Sequence, residues 1–189
     1  MQTDLKYIEA VWTSLGILWV AASLSAKPAA RTEPAAGRVF HLVTLAAAFC
    51  LLLNARLSVG PFAWRFVPDS AGVAYAGLAL TLAGAGFAMW ARFYLGRNWS
   101  ASVTIKQDHE LVRSGPYAVV RHPIYSGLLL AMIGTAIAVG EMRGALGIIL
   151  ALIGWRTKYS KEEAFMTAQF GADYLKYKRE VKALIPFVL

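Results

Sequence analysis

The sequence has few charged residues and one cysteine. Only 16% of its 189 residues are Asp, Glu, Lys or Arg, whereas soluble globular domains usually carry about a quarter. The single cysteine, Cys50, cannot form an internal disulfide, which excludes a disulfide-stabilised fold. Carboxylates are absent from the apolar runs, which argues against a proton-coupled transporter. Hydrophobic residues make up 58% of the chain and are gathered into runs, so the composition indicates an integral membrane protein.

Five runs contain no charged residue: 10–26, 39–55, 70–91, 122–140 and 144–155. A membrane-spanning helix needs about 20 predominantly apolar residues, so the first four runs are long enough once flanking side chains reach the interface. The fifth run is short and can span only if its helix continues through Arg156 and Lys158; otherwise it is re-entrant. With five spans, fifteen of the nineteen lysine and arginine residues lie on one side of the membrane. The positive-inside rule assigns that side to the cytoplasm.

We therefore predict an all-α integral membrane bundle of about five transmembrane helices, with the N-terminus outside and the C-terminus and active site in the cytoplasm. The net charge of +8 is attributed to this topology rather than to nucleic-acid binding. Residues 1–189 are expected to form a single membrane domain. Residues 1–91 supply three N-terminal spans. Residues 92–189 hold the clustered polar residues, so they are the candidate catalytic half, with a cytoplasmic loop, a helical hairpin and a C-terminal helical cap. Small residues at helical spacing predict close packing of the third and fourth spans, among them Gly77, Gly84, Gly86, Gly127 and Gly134.

A polar motif, Arg-His-Pro-Ile-Tyr at 121–125, opens the fourth run. Proline favours the first turn of a helix, so Arg121 and His122 are predicted at a helix N-terminus. Free backbone N–H groups and the positive end of the helix dipole make such a terminus an anion site. The rings of Tyr117 and Tyr125 can face a cation. The same motif also fits an interfacial anchor, and the residues alone leave both interpretations open.

An acidic pair follows the fifth run, on a side that is otherwise basic. Ser160 and Glu163 match a capping box, which makes Glu163 structural and leaves Glu162 to meet a cationic ligand. A solvated helix face with intrahelical ion pairs is the alternative. The C-terminal tail begins at Phe170. Its residues Tyr174 and Tyr177 belong to an aromatic pattern at helical spacing that predicts an amphipathic helix against the bundle. The histidines have no cysteine or carboxylate at ligand spacing, so no metal site is expected.

Taken in order, these motifs resemble the isoprenylcysteine carboxyl methyltransferase and phospholipid methyltransferase superfamily of small integral membrane enzymes. The resemblance covers roughly residues 96–186 and rests on segments 96–100, 109–117 and 121–127, the Glu-Glu pair, and the tail with Phe170-Gly171 and Ile185-Pro186. It implies S-adenosylmethionine as methyl donor, S-adenosylhomocysteine as product, and a lipophilic acceptor that enters from the bilayer. The implied cofactor contacts are His109, Glu110, Leu111, Val112, Tyr117, His122, Pro123, Ile124, Tyr125 and Glu162, which Arg121 joins through the predicted anion site.

The chain departs from the family pattern at two places. In the tail it has Val-Lys-Ala at 181–183, where a Val-Pro is common in the family. The prenylcysteine enzymes carry an arginine one turn before the glutamate, associated with the acceptor, where this chain has Lys158. Arg156 lies nearby, so Arg156 and Lys158 are predicted to position the acceptor. A carboxylate acceptor needs no base, a thiol needs only a lowered pKa, and an ammonium group must first lose a proton.

No general base stands out in the sequence, which favours an isoprenylcysteine-type carboxylate or thiol as the acceptor. Two alternatives stay open. One is a phospholipid amine N-methyltransferase, and the other is a non-catalytic membrane subunit whose basic face binds anionic lipids.

Overall fold

A computed structural model describes residues 2–24, 31–32, 35–96, 99, 104–105 and 111–188. Within these residues the chain forms six α-helices: α1 (Gln2–Ser23), α2 (Ala35–Leu53), α3 (Ala71–Leu95), α4 (Pro116–Val119), α5 (Pro123–Val139) and α6 (Met142–Glu180). Two short strands, β1 (Arg31–Thr32) and β2 (Thr104–Ile105), pair antiparallel. The predicted all-α architecture is confirmed for the described part of the chain.

Helices α3 and α5 pack closely, and glycines make their contact possible. A β-carbon built on Gly84 would lie 2.3 Å from the backbone nitrogen of Ala131, and one on Gly127 would lie 2.5 Å from that of Ala88. Gly77 and Gly134 face each other in the same way two turns further along. The two backbones therefore touch directly, and the predicted close packing of these helices is confirmed. Gly86 is the exception, because a β-carbon built there would meet no atom of the described residues within 4 Å.

Helix α1 is attached to this pair by a buried polar junction. The indole N–H of Trp12 donates to the hydroxyl of Thr135 on α5, at 3.0 Å. The hydroxyls of Thr135 and Thr81 are 3.2 Å apart, and both threonines are fully buried. The Trp12 ring also packs edge-on against Phe49 of α2. The Trp12 side chain thus joins the first helix to α2 and α5, and through Thr135 to α3.

Helix α2 packs along α6, and its C-terminal end is capped by an arginine. The Arg143 guanidinium donates to the backbone carbonyls of Leu51 and Leu52 at 3.0 and 3.1 Å. It also donates to the carboxylate of Glu141 at 2.6 Å, and only 3% of Arg143 is exposed. These contacts satisfy carbonyls that a helix end leaves without intrahelical partners. They also fix the start of α6.

Helix α6 consists of two helical segments, which meet at a kink at Gly171. The first segment runs from Met142 well past residue 155, so the fifth charge-free run is not a separate short helix. It continues through Arg156 and Lys158, which is the condition for a full span stated above. Gly171 interrupts its helical geometry with φ 51° and ψ −121°. This region of backbone space is essentially restricted to glycine. Beyond it, Tyr174 and Tyr177 are buried against the bundle, as the tail pattern predicted.

Two of the described helices, α2 and α3, are long and apolar enough to cross a membrane by length and composition. Helix α5 is apolar but shorter, at 17 residues. Large apolar side chains on α1 and α2 point outward, including Ile17, Val20 and Leu42, each more than half exposed. The arrangement of about five transmembrane helices remains a prediction.

Candidate functional site

The candidate site is built around the N-terminus of α5. His122 is the N-cap residue and Pro123 occupies the first helical position, as the sequence motif predicted. Pro123, Ile124 and Tyr125 are buried within the first turn. The first N–H groups of a helix have no intrahelical acceptor, and the helix dipole adds positive potential at this end.

The imidazole of His122 lies between two tyrosine rings and two carboxylates. Its ring centroid is 5.8 Å from that of Tyr125 and 5.0 Å from that of Tyr159. Its Nδ1 atom is 3.7 Å from Oε2 of Glu162, and its Nε2 atom is 3.2 Å from Oε1 of Glu163. His122 therefore links the N-terminus of α5 to both members of the acidic pair on α6.

Glu162 is the more accessible of the two carboxylates. Its side chain is 26% exposed, compared with 8% for Glu163. The Tyr125 hydroxyl donates a 2.9 Å hydrogen bond to Glu162, and the Tyr125 ring stacks on Trp155 with centroids 5.8 Å apart. The Lys158 ammonium lies 5.9 Å from the centre of the same tyrosine ring. This corner combines an accessible carboxylate, aromatic faces and a nearby cation.

Glu163 is the centre of a buried ion-pair cluster. Arg121 donates two hydrogen bonds to its Oε1 atom, at 2.9 and 2.6 Å, and the Lys178 ammonium is 2.7 Å from its Oε2 atom. Burial by itself raises the pKa of Glu163, but hydrogen bonds from His122, Lys178 and Arg121 outweigh it and hold that pKa well below its usual range. Glu163 is therefore ionised in the folded protein.

The capping-box interpretation of this segment is wrong. No helix begins at Ser160, because α6 already runs through it and its hydroxyl donates to the carbonyl of Arg156. The Glu163 carboxylate contacts Arg121, just before α5, and Lys178, beyond the kink at Gly171, instead of capping a backbone N–H at a helix start. A capping-box pattern spans four residues and can occur inside a helix, and α6 begins eighteen residues before Ser160.

The C-terminal tail crosses the start of α5. The backbone N–H groups of Arg121 and His122 donate to the carbonyls of Lys182 and Ala183 at 2.8 and 3.0 Å. The Ser126 hydroxyl donates to the carbonyl of Leu184 at 2.6 Å. The Arg121 guanidinium also donates to tail carbonyls, at Lys178 and Val181. The structure thus directs Arg121 to Glu163 and the tail.

Tyr117 lies in the short helix α4, which precedes α5. It is buried, and its carbonyl accepts a 2.5 Å hydrogen bond from the hydroxyl of Tyr177. Burial raises the pKa of Tyr117, and it raises the pKa of Tyr177 to about 12, so both phenols are neutral. Leu111 and Val112 precede α4 and are half-buried. The predicted contacts His109 and Glu110 lie outside the described residues.

The two predicted acceptor-positioning residues occupy different sides of α6. Lys158 lies beside Tyr125, within the site, whereas Arg156 is exposed. The Arg156 guanidinium donates to the hydroxyl of Ser160 and lies 5.2 Å from the ring of Tyr159. Residues two apart on an α-helix point about 200° apart, which explains the separation.

Sequence reasoning missed three members of the site. Trp155 and Tyr159 stack against Tyr125 and His122, and Lys178 pairs with Glu163. Trp155, Tyr159 and the acidic pair recur at helical spacing along one face of α6, so the two aromatic residues could have been found from an α6 that extends past the fifth run. Lys178 carries no such signal because its contact depends on the kink.

Comparisons with known proteins place the chain in a family. The family model for phospholipid methyltransferase matches residues 73–173, more than half of the 189 residues. Protein-S-isoprenylcysteine O-methyltransferase B of Arabidopsis thaliana is 33% identical over 98 residues, which are 49% of each chain. The protein-S-isoprenylcysteine O-methyltransferase of Schizosaccharomyces pombe is 34% identical over 98 residues, 49% of this chain and 41% of that one.

The protein-S-isoprenylcysteine O-methyltransferase of Rattus norvegicus is 32% identical over 130 residues, 66% of this chain and 45% of that one. The chain spans about half the length of the curated relatives it matches. The matched family segment contains most of α3 to most of α6, and therefore the helix N-terminus and acidic pair described above. The chain belongs to the phospholipid methyltransferase family.

Proposed function

We propose that this protein is a membrane methyltransferase that uses S-adenosylmethionine to methylate a lipophilic acceptor. The observation that carries the proposal is the meeting of the accessible Glu162 carboxylate, the Tyr125 and His122 rings and the N-terminus of α5 in one corner. The relatives described above are named as isoprenylcysteine O-methyltransferases, which supports the reaction class.

These residues fit the cofactor group by group. S-adenosylmethionine has an ammonium, a carboxylate and a sulfonium, and it supplies an electrophilic methyl group. Glu162 suits the ammonium because it is a partly exposed carboxylate held by a hydrogen bond from Tyr125. The N-terminus of α5 suits the carboxylate. The aromatic faces of Tyr125 and Tyr117 suit the sulfonium.

The protein contributes mainly alignment and exclusion of water. Methyl transfer is a direct displacement, so a fixed geometry between donor and acceptor lowers the barrier without proton transfer from the protein. The tail segment that bonds to Arg121 and His122 covers one side of the site. It therefore limits the access of water to the reacting groups.

The acceptor we favour is an isoprenylcysteine-type carboxylate or thiol. A carboxylate needs no general base, and Lys158 lies within the site as a cation that can position it. Arg156 is exposed and contacts the ring of Tyr159 instead of that of Tyr125, so it is the less suitable residue for this role. The second candidate is a phospholipid amine, which the description of the matching family supports. Such an acceptor requires a base to remove its proton.

In the membrane arrangement we propose, residues 1–189 form one domain with five spans. The outward apolar side chains of α1 and α2, the apolar lengths of α2 and α3, and the continuation of α6 beyond Trp155 support it. The N-terminus is then outside, and the start of α5 and the tail lie on the cytoplasmic side. The basic residues counted above favour this orientation.

The first test is calorimetric binding of S-adenosylhomocysteine to purified protein in lipid nanodiscs. Saturable binding by the wild type and its loss in Glu162→Ala, with an unchanged unfolding temperature, is the expected result. Absence of binding by a folded wild type would overturn the proposal. It would favour instead the non-catalytic lipid-binding subunit, for which the conservative variants Glu162→Gln and Arg121→Lys should both be neutral.

The second test separates the acceptors. Transfer of radiolabelled methyl groups is measured with a farnesylcysteine analogue and with phosphatidylethanolamine vesicles. We expect transfer to the first and little to the second, and weaker transfer in Lys158→Ala than in the control Arg156→Ala. The reverse preference would assign the chain to the amine methyltransferases.

A further inference from the structure

The last residues of the tail expose apolar side chains to the exterior of the bundle. Phe187 is 95% exposed and Val188 is 71% exposed, and Ile185 is 44% exposed. The N–H of Val188 donates to the carbonyl of Ile185, closing a turn in which Phe187 has φ 65°. A large aromatic residue in the left-handed region is uncommon. The turn leaves the Phe187 ring without packing against the bundle.

The position of this tip is fixed by the residues just before it. Ala183 and Leu184 are buried, and their carbonyls accept hydrogen bonds from the His122 N–H and the Ser126 hydroxyl. Both donors lie at the start of α5. Polar residues precede this point and an uncharged apolar helix follows it, so it marks the depth at which α5 enters hydrocarbon in the proposed membrane arrangement. The tip leaves the bundle at the same depth.

Basic side chains accompany the apolar tip. Lys176, Arg179 and Lys182 are exposed in the tail. Glu180 pairs with Arg113 at 3.0 Å and with Lys176 at 4.0 Å, so Arg179 and Lys182 are the main basic residues of the tail for lipid headgroups. Apolar and aromatic residues beside lysine and arginine form the pattern of segments that lie in a membrane interface with anionic headgroups.

We propose that residues 185–188 form a membrane anchor that inserts Phe187 and Val188 into the cytoplasmic leaflet, with anionic lipid headgroups bound by the basic residues of the tail. The inference rests on the membrane orientation in the proposed function. Its consequence is mechanical: the tail is held at the start of α5 on one side and in the bilayer on the other. Because the tail also covers the site, the bilayer itself takes part in keeping the site closed.

The test is spin labelling in vesicles. Cys50→Ser removes the single cysteine, and Phe187→Cys then allows a nitroxide at position 187. Because that side chain is 95% exposed, the substitution removes no packing contact. Collision rates are measured with molecular oxygen, which concentrates in the bilayer, and with a water-soluble nickel chelate. Leu42→Cys on the exposed face of α2 provides the membrane reference, and Ala172→Cys in the tail provides the aqueous reference.

In vesicles of equal parts phosphatidylcholine and phosphatidylglycerol, we expect the label at 187 to resemble that at 42, with oxygen collisions dominant. A label at 187 that resembles the one at 172 would overturn the anchor. A label shielded from both reagents would also overturn it, and would indicate a protein partner such as a second copy. In pure phosphatidylcholine we expect shallower insertion; unchanged depth would overturn the part assigned to anionic lipids.

This measurement is independent of catalysis. Accessibility of the label requires neither cofactor nor acceptor, so an absent methyl transfer leaves the anchor standing. Conversely, an aqueous label at 187 leaves the cofactor site standing. An aqueous label at 42 would instead contradict the proposed membrane arrangement, and the two failures are therefore distinguishable.

Discussion

Lys178 and Glu163 belong to the same helix, fifteen residues apart, and yet the lysine Nζ and the glutamate Oε2 are 2.7 Å apart. Fifteen residues of straight α-helix extend about 22 Å, further than these two side chains can bridge. The contact exists because the helical geometry breaks at Gly171, where φ is 51° and ψ is −121°. The last helical segment therefore turns back, and its residues meet the start of α5.

Gly171→Ala is expected to release the tail. Within the part of the chain that the structure describes, no atom lies within 4 Å of where a β-carbon would be, so the penalty comes from the backbone conformation. Such conformations cost about 1–3 kcal/mol for residues other than glycine, and alanine also favours a straight helix. We expect weaker S-adenosylhomocysteine binding by calorimetry and faster proteolysis of the tail. An alanine variant with unchanged values in both measurements would contradict the role of the kink.

The two glutamates should separate stability from binding. Glu163→Gln leaves Arg121 and Lys178 beside a neutral amide, and loss of one partner in a buried pair costs about 3–5 kcal/mol. Glu162→Gln should leave the unfolding temperature close to that of the wild type and weaken cofactor affinity at least about tenfold, as expected for a lost charge-assisted hydrogen bond. Thermal unfolding and calorimetry on both variants check the assignment. If Glu162→Gln lowered the unfolding temperature and Glu163→Gln weakened only cofactor binding, the roles assigned to the two glutamates would be reversed.

Acid should weaken the same cluster. The pKa of Glu163 is lower in the folded protein than the value of about 4.3 expected for an unfolded chain. Its stabilising contribution is therefore complete above about pH 4.3 and is lost as the pH falls from there toward the folded value. We expect the unfolding temperature of the wild type to fall more steeply below about pH 4.3 than that of Glu163→Gln. Parallel pH profiles would contradict this.

Tyr125→Phe removes one hydroxyl and retains the ring. The lost hydrogen bond holds Glu162 at 2.9 Å, whereas the stacking on His122 and Trp155 is preserved. Bonds to charged groups contribute about 1.5–3 kcal/mol, so we expect roughly a tenfold loss of S-adenosylhomocysteine affinity. Tyr75→Phe, at an exposed tyrosine of α3, is the matched control and should bind as the wild type. Equal affinities in the two variants would remove Tyr125 from the site.

The glycines of α3 offer a paired test of helix packing. A β-carbon at Gly84 would lie 2.3 Å from backbone of α5, whereas at Gly86 it would meet nothing within 4 Å. Gly84→Ala should force α3 and α5 apart and destabilise the protein by about 1–3 kcal/mol. Gly86→Ala should be neutral or stabilising by at most about 1 kcal/mol. Unfolding in increasing denaturing detergent compares the two, and similar midpoints would contradict the close contact.

Local sequence patterns anticipated the parts of the site that depend on one element. Pro123 marked the start of α5, and His122 stands at its N-cap. The small residues of the third and fourth runs indicated that these two helices pack closely. The tyrosines of the tail indicated which face of the tail is buried. In each case, every segment that takes part carries a signal in its own residues.

The features that sequence could not give depend on distant segments. Glu163 matched a local capping pattern, and the residues next to it in the sequence do not indicate its partners. These partners are Arg121, His122 and Lys178. The two glutamates are adjacent and chemically identical, so only burial distinguishes them. The kink at Gly171 could not be predicted from the sequence either, because a glycine within a helical pattern is compatible with a straight helix, a bend or a helix end.

The backbone contact between α3 and α5 also bears on substrate choice. Where side chains separate two helices, rotamer changes allow one to slide along the other; where glycines meet, such adjustment is absent. The start of α5 is therefore held at one level relative to α3. In the function proposed above, an acceptor anchored in the bilayer would have to bring its reactive atom to that level. The fixed helix pair would then select acceptors by the distance between their lipid anchor and the group that is methylated.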